Sequence, residues 1–75
     1  MGKLDGYTPR AVIKVAEDRG WRFVRQTGSH AIYVHAAVPS NLSIPMHDPV
    51  PAGLLKAILR KMGVGTATFV AEARK

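Results

Sequence analysis

Cysteine is absent from the chain, which excludes both a disulfide framework and a thiolate metal site. No apolar run approaches the roughly 20 residues needed to span a bilayer, so no membrane association is expected. Residues 1–6 are too short and too polar to read as a secretory signal, and a cytoplasmic location is the default. Acidic residues are scarce: five Asp and Glu face eleven Lys and Arg, giving a formal charge of +6. That imbalance favours nucleic acid, an acidic protein partner, or both. Aromatic side chains make up only 7% of the chain. Trp21 and Tyr33 are able to stack bases, but core packing is the role expected of both.

An apolar share of 47% argues for a folded domain. The 75 residues suffice for one small domain, 1–75. A chain of this size buries only about 60% of its extended surface, so the core is thin and a large substrate cavity is not expected.

Thr8-Pro9 opens a helix, since threonine caps the free amides and proline needs no donor in the first turn. Ala11, Val12, Val15 and Ala16 recur at helical spacing, and Gly20 ends the helix. Residues 21–25 are rich in strand formers, Thr27-Gly28-Ser29 turns the chain, and a second strand runs from His30 to His35. Residues 36–41 read as a loop containing Pro39. Residues 42–46 alternate as a third strand, with Pro45 at an edge or at the strand's end. The prolines in residues 47–51 make that segment a linker. Leu55, Ile58, Leu59 and Met62 give the core stripe of a helix over about 51–62. Gly63-Val64 stops it, and Thr66 is placed to cap a last short helix carrying Phe69, Val70 and Ala73. The expected fold is α+β, with order α-β-β-β-α, a three-stranded antiparallel sheet and helices on one face.

Three histidines are candidates for chemistry. His30 and His35 are five apart on one strand and face opposite sides, and His47 sits elsewhere, so no metal cluster and no cofactor are expected. Ser29 is adjacent to His30 and points away from it, and no glycine-flanked nucleophile elbow precedes a helix, so acyl transfer is disfavoured. A lone histidine suffices where the substrate carries its own nucleophile. RNA does so: its 2′-hydroxyl lies beside the phosphate it attacks, and one positioned base contributes roughly 10²–10⁴-fold. Arg25, near the turn that carries His30, and Lys56 and Arg60, at i and i+4 on one helix, are the phosphate-binding candidates. A non-catalytic RNA-binding module using the same basic surface is the alternative reading.

Gly20-Trp21, Val24-Arg25-Gln26, Gly28-Ser29-His30 and Ile32-Tyr33 form a recognisable series. Ile44-Pro45, His47, the run Gly53-Leu54-Leu55-Lys56-Ala57-Ile58-Leu59 and Gly63 continue it. Across residues 7–69 the chain resembles the HicA toxins of HicA–HicB toxin–antitoxin systems. These are small messenger-RNA-cleaving proteins with a double-stranded-RNA-binding-domain-like fold. The resemblance implies a metal-independent endoribonuclease with His30 as catalytic residue and Gly28 and Ser29 shaping its turn. It also implies a HicB-like antitoxin that masks the site. Two positions depart from many relatives: residues 36–41 hold no basic side chain, and Ala31 follows the motif histidine.

Overall fold

The computed structural model describes residues 3–74; Met1 and Gly2, from the amino-terminal stretch considered above as a signal, and Lys75 lie outside the described residues. The elements are α1 (Pro9–Asp18), β1 (Arg22–Thr27), β2 (His30–His35), β3 (Val38–Pro45), α2 (Ala52–Met62) and α3 (Thr66–Ala73). The strands form one antiparallel sheet of order β1-β2-β3. This is the α+β, α-β-β-β-α arrangement expected, extended by α3.

Local chemistry sets the helix ends. The Thr8 hydroxyl accepts the Ala11 amide at 3.2 Å, and Pro9 begins α1. Gly63 ends α2 in the left-handed conformation at φ 73°, which lets Val64 turn back so that its amide bonds the Leu59 carbonyl at 2.9 Å. Thr66 is not the cap of α3 as expected; Gly65 is, and its carbonyl accepts the Phe69 amide at 2.9 Å, which draws Thr66 into the first turn.

Alternation decides the sheet's two faces. Ala31 and Tyr33 on β2 pair with Ile44 and Leu42 on β3, and all four are buried. They join Val12 and Val15 of α1, Leu55, Ile58 and Leu59 of α2, and Phe69 of α3 in one core, so the helices cover that face. Trp21 is part of the same core, as expected. Phe69 is fully buried with the Tyr7 ring edge-on at 4.9 Å; truncation to alanine is expected to cost about 3–5 kcal/mol. Arg19 at the end of α1 pairs with Glu72, tying α3 to α1. Burial, and then the Glu17 carboxylate, hold the Tyr33 phenol above the usual tyrosine range.

The structure departs from the sequence-based expectation in β1, in β3 and in the linker. β1 extends to Thr27 rather than ending at Arg25, because Gln26 and Thr27 pair with Ala31 and His30. Residues 38–41 belong to β3 and not to a loop, so the β2–β3 turn is Ala36-Ala37. Pro39 is tolerated because the register shifts between Tyr33–Leu42 and His35–Val38, where no regular ladder donor is needed. The linker is also anchored: Val50 is buried and donates its amide to the Tyr7 carbonyl at 2.8 Å.

Candidate active site around His30

The turn before His30 is built from backbone geometry. Gly28 sits at φ 59°, a conformation L side chains rarely adopt, and a Cβ there would meet nothing within 4 Å. Its glycine is therefore required by the backbone angle and not by crowding. Gln26 braces the turn by donating to the Gly28 carbonyl at 3.2 Å. The Ser29 carbonyl accepts the Met46 amide at 2.6 Å, carrying the β2–β3 contact beyond the last strand pair. The loop is thus clamped from both flanking strands, and the first residue after it is His30.

His30 pairs with Thr27 on one side and Pro45 on the other, at the centre strand of the sheet. The residue is exposed, and its ring has no hydrogen bond or ion pair among the described residues. It borders a groove of about 250 Å³ between the β3 edge and α2, whose walls include Leu42, Pro45, Leu54 and Ile58. Ser43 also lines the groove, and Lys61 stands in its wall with Nζ donating to the Asn41 carbonyl at 2.9 Å.

His35 is used differently. The Ala37 amide donates to its Nδ1 at 2.9 Å, so Nε2 carries the proton and donates to the Arg19 carbonyl, also at 2.9 Å. Its ring lies 5.3 Å from that of buried Trp21. Both nitrogens are occupied in joining β2 to the end of α1. His35 lies on the helix side, and His30, in the other register of the strand, borders the groove at the sheet's end that α2 also lines. His47 is exposed, and its Nδ1 lies 3.2 Å from the Pro49 carbonyl.

The basic candidates separate into two groups. Arg25 pairs with Ile32, two residues along β2 from His30 and therefore on the same sheet face. Lys56 and Arg60 are exposed on α2 but turn away from the groove, which α2 lines with Leu54, Ala57, Ile58 and Lys61. Lys56 instead borders a second depression with Lys3, Leu4 and Thr66. Lys61 is the α2 cation that lines the groove with His30, and it was not among the phosphate-binding candidates. Its signal was its spacing from Leu54, Ala57 and Ile58, which puts all four on one side of the helix.

Among the described residues, no three of His, Cys, Asp and Glu gather as a metal-ligating group, and no helix is long and apolar enough to cross a membrane. No curated protein matches the chain. A family model described as "HicA toxin of bacterial toxin-antitoxin" matches residues 9–64, from the start of α1 through Val64, and so includes every strand and all of α2. With three quarters of its length under that match, and with the Gly28-Ser29-His30 turn inside it, the chain belongs to the HicA toxin family, the toxin component of toxin–antitoxin systems, whose counterpart is an antitoxin.

Proposed function

We propose that this toxin is a metal-independent endoribonuclease that cleaves messenger RNA in the cytoplasm, with His30 as the proton-transfer residue. The observation that carries the reading is the contrast between two histidines on one strand. His35 has both ring nitrogens engaged, whereas His30 is exposed, without a partner among the described residues, and held by a clamped turn at the mouth of a groove. An unengaged imidazole is free to take the 2′-hydroxyl proton of a bound ribose near neutral pH. The 2′-oxygen then attacks the adjacent phosphorus, so no activated water is required.

Arg25, on the sheet face that Ile32 shares with His30, and Lys61, in the groove that His30 borders, suit the charge that builds on the phosphate. Lys56 and Arg60 meet the RNA further along its path, on the outward side of α2. Gly28 and Ser29 act through the backbone of the turn. A HicB-like antitoxin with an acidic surface covers His30 and Arg25 and competes with RNA.

The test is His30→Ala in the purified protein, with single-stranded RNA as substrate. Cleavage is expected to fall about 10²–10⁴-fold while the circular dichroism spectrum and unfolding midpoint stay those of the parent, because the residue is exposed. Undiminished cleavage removes His30 from the chemistry. Salt-sensitive RNA binding by a parent protein that never cleaves would instead favour the RNA-binding module.

A further inference from the structure

Removal of the 2′-hydroxyl proton is half of the reaction. The 5′-oxygen of the departing nucleotide leaves poorly as an alkoxide, so a second group that supplies a proton is needed for efficient cleavage. His30 cannot both accept the first proton and donate the second within one step. The chain holds three histidines, and His35 is engaged at both nitrogens within the fold.

His47 meets the requirement. It follows Met46, whose amide is bonded to the Ser29 carbonyl, and Ser29 immediately precedes His30. The same β2–β3 contact therefore brings His30 and His47 to one end of the sheet, at the Gly28 turn. His47 is exposed, so its ring is open to a bound chain. Its Nδ1 has a carbonyl for a partner, that of Pro49, and a carbonyl only accepts; Nδ1 must therefore carry a hydrogen. That contact orients the ring and leaves Nε2, which has no partner among the described residues, as the position that binds and releases a proton.

We propose that His47 is the second catalytic residue, the general acid that protonates the leaving 5′-oxygen; this rests on the reading of His30 as the base. In the step, the 2′-hydroxyl proton passes to the His30 ring and the 2′-oxygen bonds to phosphorus. The bond from phosphorus to the 5′-oxygen breaks, and protonated His47 gives its Nε2 proton to that oxygen. The products are a 2′,3′-cyclic phosphate and a 5′-hydroxyl end. No oxidant, reductant or metal enters, and both histidines regain their starting protonation by exchange with water.

The experiment uses an oligonucleotide with a single ribose at the cut site, made in two forms. In one the leaving atom is the natural 5′-oxygen, and in the other it is sulfur, which departs as a thiolate without needing a proton. His47→Asn keeps an N–H donor for the Pro49 carbonyl but has no group that transfers a proton. This variant is expected to lose about 10²–10⁴-fold on the oxygen substrate and to stay within a few-fold of the parent on the sulfur substrate. His30→Ala is expected to lose activity on both. Parent-level cleavage of the oxygen substrate by His47→Asn, or an equal loss on both substrates, overturns the assignment of His47 as the acid. In either case an inactive His30→Ala leaves the endoribonuclease reading standing, whereas an active one removes His30 itself. Turnover of the sulfur substrate by His47→Asn also reports that the variant is folded.

Discussion

Arg25 is paired with Ile32, one residue out of step with the Phe23–Tyr33 pair beside it. Val24 is the extra residue of a β-bulge. Unbroken pairing would set Arg25 opposite Ala31, on the face the helices cover. The bulge turns it instead to the face of Ile32 and His30. Arg25→Glu is therefore expected to weaken RNA binding and to lower the slope of affinity against salt by roughly one. The same change should slow association with an acidic antitoxin, and both effects should shrink at high salt. Surface-resonance or stopped-flow measurements at two ionic strengths check this; unchanged association with both partners would place their contacts elsewhere.

His35 and Gly20 form a structural pair and predict a loss of stability. Gly20 has φ 94°, and a Cβ there would stand 3.0 Å from Nε2 of His35. Gly20→Ala combines backbone strain of about 1–2 kcal/mol with displacement of that ring. His35→Ala leaves the part-buried Arg19 carbonyl without its donor, at about 1–3 kcal/mol, while the exposed Ala37 amide turns to water. Urea unfolding reads both. Either variant, assayed where it is folded, should keep most of its cleavage; complete loss in a folded His35→Ala would mean that this ring takes part in the chemistry.

The two sides of α2 predict unequal effects for its lysines. Lys61→Ala should reduce kcat/KM for RNA by roughly tenfold, about 1.4 kcal/mol, because that side chain borders the groove with His30. Lys56→Ala should alter binding with little effect on kcat, since Lys56 faces a different depression. Equal effects from the two substitutions would argue that the groove is not the RNA path.

A nucleophile supplied by the substrate predicts which changes to the reaction matter. Replacing the ribose at the cut site by deoxyribose should abolish cleavage, because the attacking oxygen is gone. Cleavage of ordinary RNA should persist in a strong chelator. Activity lost in chelator and restored by magnesium would instead indicate a metal-activated water.

Much of the fold was legible because its signals are local. Thr8-Pro9 and Gly63-Val64 mark helix ends through the hydrogen bonds of adjacent residues, and both formed as read. His35 was separable from His30 because strand alternation has a period of two. Boundaries that depend on a partner strand leave no local signal. Pro39 suggested a loop, yet the register shift opposite His35 accommodates it within β3. Val50 looked like part of a linker, yet its side chain joins the core and its amide bonds the Tyr7 carbonyl more than forty residues away in the chain.

The sequence alone placed His30 after a glycine turn and put His35 on the opposite face, since both follow from the backbone geometry of a few consecutive residues. Tertiary structure decided which charges and rings share His30's surroundings. The Val24 bulge brings Arg25 to its face, the packing of α2 against β3 selects Lys61 over Lys56 and Arg60, and the Ser29–Met46 contact brings His47 to the same end of the sheet. These are neighbours across strands and helices, and their placement depends on register and docking, which exist only once the chain has folded.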